Sequence, residues 1–215
     1  MKNSINDYID AVISGRVQLS IPILDADKIS IGSLAPLTRS DLNDYELMCL
    51  ISDWRNQNSD KFITRFHATA ERTAGWLERV VFPSQSQMLF LIMDQLGERI
   101  GHTGFKNLSY TSALSDNTIR GARAGHPKIF VFAIRRLIEW LFEVTDIERV
   151  EGEVFSDNIP ALMMNKKVGF TLIEKLILEE VREGDTIKLK STNHVPAINK
   201  KTLHRIAINR SDFNF

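Results

Sequence analysis

The chain of 215 residues sets 27 lysines and arginines against 27 aspartates and glutamates and is 43% apolar. That is enough hydrophobic material for one buried core with an appendage, and zero net charge excludes the whole-surface basic field of a general nucleic-acid or anionic-membrane binder. One cysteine, Cys49, rules out an internal disulfide; with no signal peptide or bilayer-length apolar run visible, a reducing cytoplasm is the expected location.

The first segment, MKNSINDYIDAVISG, spaces Ile5, Ile9 and Val12 or Ile13 as a helix would and stops at Gly15. We read it as a short docking helix, with residues 1–27 an N-terminal helical extension and 28–215 the main domain. KISIGSLAP gives a strand ending near Pro36, followed by a cap at Ser40 or Asp41 and a helix to about Asp53. Cys49 lies there among Leu47, Met48, Leu50 and Ile51, the setting of a buried, inert thiol. A second helix is expected from about Thr69 to Val80, with Ala70, Ala74, Leu77 and Val81 on one face.

QMLFLIMDQLGERIGHTGFKNL reads as a hairpin turning between Asp94 and Glu98, with Gly97 where positive φ is required. A third strand, about Thr111 to Ile119, belongs beside it. Pro127 then suits the first turn of a helix whose buried stripe is Phe130, Ile134, Leu137 and Leu141, opposite Arg135, Arg136, Glu139 and Glu143. ERVEGEVF is a strand, and DNIPALMMNKKVG a helix capped by Asp157 or Asn158 and stopped by Gly169. FTLIEKLILEEV is a further strand. Strand, helix, strand in this order implies a right-handed crossover between neighbouring parallel strands. Alternation around Leu203, Ile206 and Ile208 marks a last strand with no readable partner; left on an edge, it would offer a homodimer contact.

Several stretches carry chemistry. RGARAGH, ahead of the long helix, suits either an anion held on free backbone N–H groups or a basic flexible turn. Strand periodicity puts Glu151 and Glu153 on one face, Val150, Gly152 and Val154 on the other. Carboxylates are unusual in a strand covered on both faces, and Glu153, nearer the functional end, is the first candidate base. Asp116, in SDNTIRG, is a second candidate or a turn residue, and His102, in IGHTGF, is a third or a hydrogen-bonded core residue.

GSLAPLTRSDL, IGHTGF, the glycine-bearing loop and NIPALMMNKKVGF together resemble the GNAT superfamily of acetyl-CoA-dependent N-acyltransferases, from about Ile29 to about Arg210. Asn158, Ala161, Gly169 and Phe170 match the family pattern N-x-x-A-x-x-x-Y-x-x-x-G-F at four of its five positions. The resemblance implies an α+β fold: a central mixed, mostly antiparallel sheet with a splayed parallel strand pair, flanked by helices. It implies acetyl-CoA as cofactor, with no metal, and assigns its binding to Ile119, Arg120, Gly121, Arg123, Ala124, Gly125, His126 and Asn158. Two departures stand out. Arg123 replaces a loop glycine of the family, and Asn165 stands where the family has a tyrosine that protonates the departing thiolate. Asn165 can donate a hydrogen bond but cannot deliver a proton; a thiolate whose parent pKa is about 8.5 leaves without a general acid.

The implied reaction is direct attack of a primary amine on the thioester, with backbone N–H groups near Thr118 to Arg120 polarising the carbonyl. SDWRNQNSDKF resembles the branch that acetylates nucleotide-linked amino sugars, which would make Trp54, Arg55, Asn56 and His102 acceptor-binding residues. A small-molecule amine is thus the expected partner, with neither nucleic acid nor membrane. Acetylation of protein N-termini, ribosomal proteins among them, is the alternative carried by PLTRSDL. The missing tyrosine and irregular loop also leave open a non-catalytic acyl-CoA-binding or partner-binding module.

Overall fold

A computed structural model describes residues 5–192 and 201–213; residues 1–4 of the expected first helix and 193–200 of the tail lie outside them. Helix α1 (Ile5–Ile13) buries Ile9, Val12 and Ile13 in the same core as the rest of the chain. Strand β1 (Ile21–Leu24) follows, paired antiparallel with β2 (Ser30–Pro36). Residues 5–27 therefore contribute a core helix and a sheet-edge strand. Pro22 hides β1 from a sequence reading, because proline fits a strand only where its missing N–H faces no partner, as at an edge.

Helix α2 spans Tyr45–Gln57, starting later than expected. Arg39–Asn43 form a 3-10 turn instead, and Asp44 is the cap, accepting the Leu47 N–H at 2.9 Å while Arg99 pairs with its other oxygen at 2.9 Å. That tertiary ion pair selects Asp44 from several capable residues. Cys49 is half-buried, more open than expected. After β3 (Thr64–Arg65), α3 (Ala70–Trp76) starts from a Thr69 cap and loosens into a π-helical turn at Leu77–Val81.

Strands β4 (Met88–Asp94) and β5 (Arg99–Lys106) form the expected hairpin, with Gly97 at φ 80°. β6 (Ser112–Arg120) runs antiparallel to β5. α4 (Ile129–Val144) buries the whole expected stripe, and β7 (Arg149–Phe155) returns parallel to β6. α5 (Ile159–Val168) begins at the Asn158 cap and ends at Gly169, φ 116°. β8 (Thr171–Glu183), β9 (Thr186–Ser191) and β10 (Lys201–Asn209) follow.

The described strands make one sheet in the order β1-β2-β4-β5-β6-β7-β10-β8-β9-β3, antiparallel throughout except between β6 and β7. β10 lies inside it, so the tail does not provide the edge on which a dimer contact was expected. No helix among the described residues is long and apolar enough to cross a membrane.

Parallel pairing of β6 with β7 covers only Ser112–Ser115 against Arg149–Gly152. Beyond it β6 continues to Arg120 and β7 to Phe155 without pairing to each other. On its other side β6 carries a bulge: Asp116 opposes Gly104 and Ile119 opposes His102, so Asn117 and Thr118 share the single partner position of Thr103. Asn117 in this bulge adopts the left-handed conformation, φ 53°, one of the two geometries a bulge residue takes.

Candidate active site

Where β6 and β7 part, a cleft of about 920 Å³ opens with walls from both sides of the sheet. α4 and α5 contribute Phe130, Val131, Ala161, Met164 and Asn165 on one side. The segment from α2 to α3 contributes Arg55, Phe62, Phe66 and Arg72 on the other, with Ser115–Arg120 of β6 and Gly152–Phe155 of β7 between.

Alternation along β7 decides which side each carboxylate serves. A Cβ on Gly152 would meet Phe170, just after α5, at 3.7 Å, whereas Phe155 packs with Ile63 near β3. Glu153, two residues from Phe155, therefore faces the α2 side. It is exposed, lines the cleft and has no ion-pair partner among the described residues. Glu151 differs: Arg149 at 2.5 Å and Arg205 at 3.3 Å engage it, and Glu174 holds Arg205 at 3.0 Å. Asp116 also lines the cleft, but Lys106 pairs with it at 3.0 Å and the Asn117 amide donates to it at 2.7 Å.

His102 is 2% exposed, and its Nδ1 lies 2.6 Å from the Asn117 carbonyl. A carbonyl only accepts, so Nδ1 carries the proton. Nε2 is left as a buried lone pair with no partner among the described residues. Burial draws the imidazole pKa down to about 4, against the opposing pull of the Asn117 bond. The ring is neutral at neutral pH.

Residues 33–171 match the acetyltransferase (GNAT) domain family. The chain is a GNAT acetyltransferase. In fold it is similar to a spermidine N-acetyltransferase from Vibrio cholerae in complex with CoA and spermine, at 18% identity over 84% of this chain and 96% of that one, TM-score 0.62. It is also similar to RimL, a ribosomal L7/L12 alpha-N-protein acetyltransferase in complex with coenzyme A, at 14% identity over 87% and 97%, TM-score 0.63. A probable GNAT-family acetyltransferase from Chromobacterium violaceum aligns at 13% identity over 89% of this chain and 87% of that one, TM-score 0.63. No curated protein matches the sequence.

As a GNAT enzyme the chain takes its acetyl group from acetyl-CoA, and the anion-loop candidates can be tested against that cofactor. Gly121 and Ala122 both donate their N–H to the Ile100 carbonyl, at 2.9 and 3.0 Å. Gly121 is glycine because an added Cβ would lie 2.0 Å from Trp54 Cε2; packing accounts for it, and anion binding does not. The exposed Arg123, Ala124 and Gly125, φ 72°, and His126 after them, keep N–H groups with no hydrogen bond among the described residues. Together with the first turn of α4 they fit a pyrophosphate. Arg120 lines the cleft with its guanidinium 5.0 Å over the Phe130 ring, and Lys128 lines it too. Ile119 is buried opposite His102. Asn158 lines the cleft but spends its side chain capping α5, accepting the Ala161 N–H at 3.3 Å.

The acceptor candidates need more correction. Trp54 is 3% exposed, covered by Gly121 and by His102 at 6.0 Å, so its ring is not available to stack on a base. Asn56 uses both ends of its amide on the Ala68 backbone, at 2.9 and 2.8 Å. His102 lines the cleft, but its Nδ1 is committed to the Asn117 carbonyl. Only Arg55 of the W-R-N run presents its functional group to the cleft. Lys61, Phe62, Phe66 and Arg72 were missed: they sit in polar, turn-rich sequence, where only tertiary placement distinguishes a site residue from a solvated one. No cluster of three or more metal-ligating side chains occurs among the described residues.

Proposed function

We propose that this enzyme acetylates the primary amine of an acceptor that also carries negative charge, a nucleotide-linked amino sugar fitting best. One observation carries the reading: the acceptor wall holds a half-buried cation without a carboxylate. The Arg55 guanidinium lies 4.1 Å from the Phe62 ring and 4.7 Å from Phe66, donates to the Thr64 carbonyl at 2.9 Å, and has no ion pair among the described residues. Burial lowers its pKa while the Asp116 charge opposes this. An anionic group on the acceptor would supply the missing counter-charge. Lys61 and Arg72 line the same wall, each paired with a carboxylate, Asp60 at 2.7 Å and Asp185 at 3.3 Å, which leaves Arg55 as the cation to be matched. A polyamine, such as the ligand of the Vibrio cholerae complex, would meet the unpaired Arg55 with like charge.

Chain geometry supports a division of labour. Arg123–His126 and the head of α4 bind the pyrophosphate, while the unpaired stretches of β6 and β7 receive the rest of the cofactor. Acetyl-CoA supplies the activated acyl group. Backbone N–H groups of Thr118–Arg120 polarise its carbonyl, and Glu153 takes the proton from the attacking amine. Asn165 donates a hydrogen bond at the sulfur, and water protonates it.

The test combines acceptor choice with one variant. Turnover of acetyl-CoA is measured with a nucleoside-diphosphate-linked amino sugar, spermidine and an acidic peptide with a free N-terminus. Preference for the amino sugar is expected, while preference for spermidine overturns the acceptor reading and preference for the peptide favours the N-terminal alternative. Glu153→Gln should lower kcat about a hundredfold at unchanged KM for acetyl-CoA, the size of general-base effects; an unchanged kcat removes Glu153 as the base.

A further inference from the structure

We infer that His102 is a positioning residue: as a neutral imidazole protonated on Nδ1, it pins the left-handed Asn117 of the β6 bulge and so sets the direction of the backbone N–H groups that follow. The observations form a chain from core to cleft. Trp54 of α2 packs beside the imidazole at 6.0 Å, and His102 stands 2% exposed in the cleft wall. The imidazole donates to the Asn117 carbonyl at 2.6 Å. Asn117, at φ 53°, is the residue where β6 departs from regular pairing, and Asn117, Thr118 and Ile119 all line the cleft. Thr103 tethers the other half of the bulge, its hydroxyl 2.7 Å from that of Thr118.

A structural histidine in a core ordinarily satisfies both ring nitrogens. Here Nε2 is buried with no partner among the described residues, so the one polar contact the ring keeps is the Nδ1 donation to Asn117. The retained feature is a planar donor at the Nδ1 position. Its acceptor is a carbonyl whose peptide plane fixes the N–H of Thr118; that bond selects the tautomer, and burial, which draws the pKa down to about 4, keeps the ring neutral at neutral pH.

This inference rests on acetyl transfer at the β6 opening, and the experiment separates the two. Nitrogen-15 NMR of histidine-labelled protein should show His102 with protonated Nδ1 and bare Nε2 from pH 8 to pH 5. Asn117 backbone chemical shifts should report the left-handed conformation in the wild type and in His102→Asn, whose amide nitrogen replaces Nδ1, and should lose it in His102→Leu. Acetyl-CoA turnover with the best of the three amines named above, followed as thiol release, gives the functional arm. His102→Leu should lose about tenfold or more in kcat at unchanged KM, since a misdirected oxyanion donor costs up to about a hundredfold or more; His102→Asn should restore most of it. A proton on Nε2, or an Asn117 conformation unmoved by His102→Leu, overturns the pin. Equal kcat in His102→Leu and wild type also overturns it, whereas a wild type that releases thiol with none of the three amines counts against the transfer reading. If His102→Leu does not fold, the tautomer and His102→Asn still decide.

Discussion

His102 also makes folding sensitive to acid. Its pKa falls to about 4 in the folded chain, from an ordinary value of 6.5. Between those limits the unfolded chain binds a proton that the folded one refuses, so this contribution to stability is complete above about pH 6.5 and declines as pH falls. The decline is about 1.4 kcal/mol per pH unit and levels off below about pH 4 at about 3 kcal/mol. Urea unfolding of wild type and His102→Asn between pH 7 and pH 4 isolates the effect, because carboxylate titrations are common to both; parallel curves would refute it. At this scale the sequence was a partial guide. Periodicity grouped Glu151 with Glu153, but only the Arg149 and Arg205 ion pairs distinguish the structural glutamate from the free one. Trp54 and Arg55 are neighbours in a suggestive motif, yet helical rotation sends one into the core and the other to the cleft.

At the scale of elements, α5 shows how a local signal can serve two readings. Asn158 was legible as a helix cap and, through family resemblance, as a cofactor contact; its side chain accepts the Ala161 N–H. Asn158→Ala should cost about 1 kcal/mol in urea unfolding and Asn158→Asp close to nothing, as expected for a cap. A cost well under half of that would mean the cap bond is not maintained in solution. Elements with strong internal period, such as α4, the β4–β5 hairpin and β7, were readable because their burial pattern is written into consecutive residues. β1 and β3 were not: one carries Pro22, the other is two residues long, and both exist as strands only through their partners β2 and β9. The start of α2 moved for a similar reason, since Arg99 lies on a distant strand.

At the scale of the molecule, the end of the chain secures the crossover that builds the site. α4 has no basic residue in its last turn to complement its carbonyls. Arg210 supplies the charge from beyond β10: its guanidinium donates to the carbonyls of Phe142 at 2.6 Å, Thr145 at 2.6 Å and Ile147 at 2.8 Å, and stands 4.9 Å over the Phe142 ring. These partners are more than 60 residues away in sequence, which is why the tail's role could not be read in advance. β10 pairs with the whole of β7 through Leu203–Asn209, so helix end and strand are fixed by one segment. Removing the guanidinium strands three acceptors where water reaches poorly. Arg210→Met should therefore cost about 3 kcal/mol or more, taking hydrogen bonds to a charged group at about 1.5–3 kcal/mol each and discounting for relaxation. Arg210→Lys should recover less than half, because one ammonium on a flexible stem cannot serve three carbonyls in a fixed fork. Urea unfolding of the three proteins measures both numbers. Equal stability of the lysine variant and the wild type would reduce the interaction to charge against the helix dipole. A methionine variant as stable as the wild type would show that β10 alone holds the α4–β7 connection in place.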